Sequence, residues 1–158
     1  MSDKLAFQIQ TNKPTDTEAV AEKIGKHLRG GEVIELASDL AGGKTTFVRG
    51  LARGFGSMDR VSSPTFTISK VYQSGERELH HFDFYRLPEA GLISHELSEV
   101  IGDPHCSVVV EWGEVVQNVL PKEKLAITIS KTDSENGRSL SLAYCPSLSY
   151  LLEGVKQV

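Results

Sequence analysis

The chain has 158 residues, one domain's length, and its 39% hydrophobic and 24% charged residues with a mean hydropathy of −0.20 describe a folded, soluble protein. Lys and Arg number 17 against 21 Asp and Glu, a net charge of −4, which excludes a strongly basic nucleic-acid binder. No apolar run approaches the roughly 20 residues of a membrane span, Met1-Ser2-Asp3-Lys4 leads into no export signal, and Cys106 and Cys145, 39 residues apart, exclude a disulfide framework and a Cys-type zinc site, so a reducing cytoplasm is expected.

No repeat or linker divides residues 1–158, so a single domain is expected. Eight of the 14 glycines fall between Gly25 and Gly56, marking a stretch that needs unusual backbone angles or close backbone approach. Thr15-Asp16-Thr17-Glu18 has the form of a capping box, and Val20, Ile24 and Leu28 continue a helix to about Arg29, stopped by Gly30-Gly31. Residues 32–37 read as a short buried strand. Phe47, Val48, Leu51 and Phe55 then stripe a second helix, in which Gly50 predicts a tight packing contact.

Residues 65–73 and 78–87 read as paired strands turning near Gly75, and residues 88–100 as a helix. Val108-Val109-Val110 predicts a central strand over 106–112, buried on both faces. Leu125, Ile127 and Ile129 alternate in a further strand, and Asn136-Gly137 signals a hairpin to Leu140, Leu142 and Tyr144. A short helix is expected after Pro146. This order predicts an α/β fold of three layers around a mixed, mostly parallel sheet.

Chemistry concentrates in Ser38-Asp39-Leu40-Ala41-Gly42-Gly43-Lys44-Thr45, between a buried strand and a helix. That is the setting of a phosphate-binding loop, whose amides and helix N-terminus attract anions. Lys44 is expected on the terminal phosphates, the Thr45 hydroxyl on Mg²⁺, and Thr46 on an inner phosphate. Glu111, ending the Val108–Val110 run, suits a carboxylate on the Mg²⁺ side. In His80-His81-Phe82-Asp83-Phe84-Tyr85-Arg86, alternation puts His81, Asp83 and Tyr85 on one face and the phenylalanines on the other. A metal site at His80, His81 and Asp83 lacks a further ligand at suitable spacing.

The phosphate loop, Ser63-Pro64-Thr65-Phe66-Thr67, His81-Phe82-Asp83-Phe84-Tyr85-Arg86 and Val110-Glu111-Trp112 together resemble the TsaE family of bacterial P-loop ATPases, from near Thr15 to about Arg138. The resemblance implies ATP or ADP with Mg²⁺ as cofactors, and a role with the TsaB–TsaD pair in threonylcarbamoylation of adenosine 37 in tRNAs reading codons that begin with A. It implies tRNA contact through that complex, with no membrane or DNA partner. Residue by residue, it implies Lys44, Asp83 and Glu111 as catalytic groups and Asp39 to Thr46 around the phosphates. Trp112 would lie beside the nucleotide, Ser63–Thr65 would form a switch-like loop, and Thr17 and Arg138 would approach the adenine and ribose.

The family loop usually reads Gly-Asp-Leu-Gly-Ala-Gly-Lys-Thr, so Ser38 and Ala41 replace glycines and Gly42 an alanine. A Cβ at a left-handed or phosphate-contacting position costs about 1–3 kcal/mol, predicting affinity lower by one or two factors of ten. Two other readings stay open: a small kinase of a nucleoside-like acceptor, and a nucleotide-bound module that does not hydrolyse. A guanine-specific switch is disfavoured, because Asn12-Lys13-Pro14 runs into Thr15 and precedes the phosphate loop. Arg49 and Arg53, at helical spacing, offer a tRNA contact or a solvated face.

Overall fold

The computed structural model describes residues 4–38, 43–64, 67–85, 87 and 91–155. In chain order these form β1 (Leu5–Thr11), α1 (Pro14–Lys26), β2 (Val33–Ser38), α2 (Lys44–Phe55), β3 (Ser69–Ser74) and β4 (Arg77–Asp83). They continue with α3 (Leu92–Val100), β5 (Cys106–Glu111), β6 (Leu125–Lys131) and β7 (Arg138–Tyr144). Short 3₁₀ segments cover Gly113–Val116 and Pro146–Leu152.

The strands form one sheet in the order β1-β7-β6-β2-β5-β4-β3. Its four central strands run parallel, and β3, β7 and β1 add antiparallel margins. Apolar side chains fill both sides. On one, α1, α2 and the C-terminal 3₁₀ segment pack on Ile34, Leu36, Val109 and Ile127. On the other, Leu97 of α3 and Val116 meet Val33, Phe82, Phe84, Val108 and Val110. Every residue of β5 is buried, as its β-branched run predicts.

Close backbone contact joins α1 to α2. A Cβ at Gly50 would lie 2.2 Å from the Glu18 carbonyl oxygen, and one at Gly54 2.0 Å from that of Glu22. Arg49 and Arg53 reach back across this seam to Glu18 (3.5 Å) and Glu22 (3.3 Å). Both arginines stay about half exposed, 49% and 50%, while pairing across the seam.

Several element ends differ from the sequence reading, each for a local reason. The N-cap of α1 is Lys13, with Pro14 as the first helical residue and no side-chain cap. Asp16 instead accepts a bond from the Asn12 N–H (3.2 Å), so the Thr15–Glu18 capping box does not form. The helix stops at Lys26 because His27 and Leu28 bond to carbonyls three residues back, tightening the last turn. Ile68 has φ 69°, which breaks the extended chain and delays β3 to Ser69. The Asp83 carboxylate accepts the Tyr85 N–H (2.9 Å), turning the chain away after β4. Trp112, at φ 56°, ends β5 one residue early. The helix expected over 88–100 is described only from Leu92, and the one after Pro146 is 3₁₀. β1, an exposed edge strand, was not foreseen.

Candidate functional site at the carboxyl ends of the central strands

Parallel strands gather their carboxyl ends on one rim of a sheet, the usual place for a ligand in such folds. Here β2 ends at Ser38, β4 at Asp83 and β5 at Glu111, with Asp83 and Glu111 directly paired in register. Alternation puts Ser38, Asp83 and Glu111 on the α2 side, so the polar ends of three strands face the start of one helix. Lys44 opens that helix. Its N-cap is Gly43 at φ 107°, a left-handed position suited to glycine, and among the described residues no side-chain cap bond is made there.

Lys44, His81, Asp83 and Glu111 are all buried. The Lys44 ammonium donates to Ser38 Oγ (3.0 Å) and lies 4.8 Å from the centre of the Trp112 ring. Tyr85 packs against the same tryptophan, with ring centres 5.0 Å apart. Trp112 holds this place in a left-handed conformation, which costs a non-glycine residue about 1–3 kcal/mol.

Behind Glu111 runs a buried polar chain. His81 Nε2 donates to Glu111 Oε2 (2.5 Å), and His81 Nδ1 lies 3.1 Å from the Tyr72 hydroxyl. That hydroxyl donates in turn to the Ser62 carbonyl (3.2 Å), while Lys70 bonds Ser62 Oγ. Burial, reinforced by the charges of Glu111 and Asp59, pushes Tyr72 up to about 12, so its hydroxyl keeps its proton at neutral pH. The strand carrying His81 and Asp83 is thus interior, and its polar face is dry rather than solvated.

Two clefts flank Lys44. Pro14, Thr17, Gly43, Thr46, Asn136 and Arg138 line a small one of about 30 Å³. Thr17, at its edge, is buried and shares a 2.7 Å hydrogen bond with Thr11, and Arg138 Nη1 donates to the Gly137 carbonyl (2.7 Å). The second is an open groove of about 700 Å³ whose lining includes Thr45, Ser62 and Ser63. Ser63, the first residue of the segment read as switch-like, thus shares a groove with Thr45; Thr65 lies outside the described residues.

The structure brings Lys44, Asp83, Glu111 and Trp112 to one rim and gathers Gly43, Thr46, Thr17 and Arg138 around one cleft. Asp39, Leu40, Ala41 and Gly42 lie outside the described residues, as do Thr65, Phe66 and Arg86. At Ser38 the expectation of a left-handed backbone is not met. The serine is the last residue of β2, paired with Ile129 and free of positive φ, and its hydroxyl holds the lysine. Missed at sequence level were the Tyr72–His81–Glu111 chain and the place of Asn136. The Gly75 turn carried a signal for the first, since it fixes the β3–β4 register that sets Tyr72 near His81.

Chemically, the rim joins a helix N-terminus and a buried ammonium, which suit phosphate, to adjacent carboxylates and a threonine hydroxyl, which suit a hard divalent cation. Comparisons with known proteins give the family. The family model described as threonylcarbamoyl adenosine biosynthesis protein TsaE matches residues 11–140. The tRNA threonylcarbamoyladenosine biosynthesis protein TsaE of Bacillus subtilis is 36% identical over 126 residues, 80% of this chain and 78% of that protein. Its Treponema pallidum counterpart is 37% identical over 81% of this chain and 93% of its own. The crystal structure of Bacillus subtilis YdiB superposes with a TM-score of 0.74 at 30% identity, covering 99% of this chain and 97% of that one. Fold and sequence converge, and the chain belongs to the TsaE family of tRNA threonylcarbamoyladenosine biosynthesis proteins.

Proposed function

We propose that this protein binds ATP and Mg²⁺ at the rim of β2, β4 and β5 and hydrolyses the nucleotide while acting with a TsaB–TsaD complex in tRNA threonylcarbamoylation, in the cytoplasm. The observation that carries the reading is Lys44, buried between Ser38 and Trp112 at the start of α2, with the paired carboxylates Asp83 and Glu111 at the ends of the neighbouring strands. Among the described residues no helix is long and apolar enough to cross a membrane.

Lys44 and the first amides of α2 hold the terminal phosphates. Thr45 and Glu111 hold Mg²⁺, which when bound offsets charge on the phosphate oxygens. Thr17 and Arg138 approach the nucleoside end, and Trp112 with Tyr85 forms a wall that limits water at Lys44. Asp83 orients the attacking water or ties the Ser63 segment to the rim. The main chain already joins these segments, since the Asp83 N–H donates to the Ile68 carbonyl (2.8 Å) and the Ile68 N–H to that of Pro64 (2.6 Å), and Asp83→Asn keeps both bonds, so the variant reports on the carboxylate alone. Because such a role acts in the transition state, Asp83→Asn should leave ADP affinity within a few-fold. It should slow ATP turnover and tRNA modification with the partners present by about ten-fold or more, at least ~1.4 kcal/mol of barrier. Normal hydrolysis by Asp83→Asn removes the assignment. Adding nucleosides tests the kinase reading, which requires phosphorylated acceptor, and ADP binding with no turnover alongside the partners favours a non-hydrolysing module.

A further inference from the structure

At the opposite ends of the same two strands, three side chains of different chemistry converge. Glu78 and Cys106 are direct register partners on β4 and β5, and His80 follows Glu78 by two residues on the same sheet face. The His80 Nε2, Cys106 Sγ and a Glu78 carboxylate oxygen all lie within 4.8 Å of one another. We propose that Glu78, His80 and Cys106 form a binding site for one zinc ion, separate from the nucleotide rim.

The spacing matches tetrahedral coordination. Zinc bonds of about 2.0–2.2 Å to nitrogen and oxygen and about 2.3 Å to sulfur set N···O and S···O edges of roughly 3.4 and 3.6 Å. His80 Nε2 and Glu78 Oε1 are 3.1 Å apart, and Glu78 Oε1 and Cys106 Sγ 3.7 Å. Two of the three edges thus need little more than side-chain adjustment. The supports are rigid, since all three ligands stand on hydrogen-bonded strands. Gln73 donates to the other Glu78 oxygen (2.8 Å), and the His80 ring stacks on Phe82. Such outer contacts orient metal ligands.

The local field is negative. The Glu78 carboxylate lies 3.7 Å from the Cys106 sulfur, and binding displaces the thiol proton to solvent as the sulfur–zinc bond forms. Cys106 and His80 are largely enclosed while the Glu78 side chain is 36% exposed, leaving an entry path and a fourth position for water. The proposal reverses the expectation that the cysteines exclude a Cys-type zinc site: that expectation rested on spacing along the chain, whereas Cys106 stands 26 residues beyond His80 and meets it only through parallel strand pairing.

The test adds Co²⁺ to the full chain without nucleotide or Mg²⁺ and records absorption, followed by displacement with Zn²⁺. Wild type and Cys145→Ser should show a thiolate-to-cobalt charge-transfer band that saturates at one equivalent and disappears with Zn²⁺. Cys106→Ser and His80→Gln should lose it while retaining the wild-type circular dichroism. Should Cys106→Ser fail to fold, His80→Gln and Glu78→Gln carry the test, each expected to weaken Zn²⁺ competition against a chromophoric chelator by at least ten-fold. Absence of the band in wild type, its persistence in Cys106→Ser, or unchanged Zn²⁺ affinity in folded His80→Gln overturns the proposal.

Discussion

Two residues other than glycine take left-handed backbone among the described residues, Ile68 and Trp112, and both border the rim. Ile68 is β-branched, for which φ 69° is a true outlier, yet its carbonyl receives the Asp83 N–H. Trp112 follows Glu111 directly and brings its ring over Lys44. Strain of this kind persists where the surroundings over-determine it, and it clusters at ligand sites. Ser38 is the opposite case: it departs from the family loop yet sits in regular strand geometry. Ser38→Gly is therefore expected to change ADP affinity by no more than roughly three-fold, well under 1.4 kcal/mol. Calorimetric titration of wild type and variant checks this, and a ten-fold gain on substitution would show that the serine does hinder the phosphates.

The α1–α2 seam shows how one element positions another. Glycine costs a helix about 1 kcal/mol relative to alanine, so Gly50 and Gly54 weaken α2 taken alone. They let its backbone approach α1 more closely than any Cβ allows, and Gly25 does the same from the other side, where an added Cβ would lie 2.2 Å from the Leu51 carbonyl oxygen. This contact fixes the axis of α2 and so the direction in which its N-terminus and Lys44 point. Gly54→Ala should gain helix propensity yet lose about 1–3 kcal/mol overall from the clash with Glu22, read as a lower denaturation midpoint in urea. Unchanged or raised stability would mean that the helices separate freely. Much of this was legible from residues alone: the Gly50 contact, the buried β5, the Asn136-Gly137 hairpin and the shared face of His81 and Asp83 all follow from local pattern. The polar chain from Ser62 to Glu111 and the cluster at Glu78 were not, because each depends on which strands lie side by side. Alternation assigns a face but not a neighbour.

At the scale of the whole molecule, the end of the sheet away from the rim is anchored by Glu32. Burial alone would raise its pKa, but bonds from the Tyr150 hydroxyl (2.6 Å), the Arg29 and Gly30 N–H groups and Ser107 Oγ (each 2.8 Å) outweigh it and hold the carboxyl below its ordinary value. Arg29 also stacks 4.1 Å over the Tyr150 ring, so the C-terminal 3₁₀ segment is fastened to the start of β2. A carboxyl with a lowered folded pKa contributes stability that is fully present above its unfolded value and lost as pH falls through the folded one. Glu32→Gln should therefore cost about 1–3 kcal/mol at pH 7, and the gap to wild type should close in acid below the ordinary carboxylate range. Denaturant unfolding of both proteins across that range checks the sign, and a gap that widens on acidification would contradict it. The rim at the other end carries the central claim, that this fold presents Lys44 to a nucleotide. Trp112 is the sole tryptophan and lies 4.8 Å from the Lys44 ammonium. The direct measurement is titration of ADP and ATP with Mg²⁺, following tryptophan fluorescence and heat together. A saturable change in both for wild type, absent in folded Lys44→Ala, is the predicted result. An unchanged spectrum with no heat of binding at millimolar nucleotide in wild type would contradict the nucleotide site.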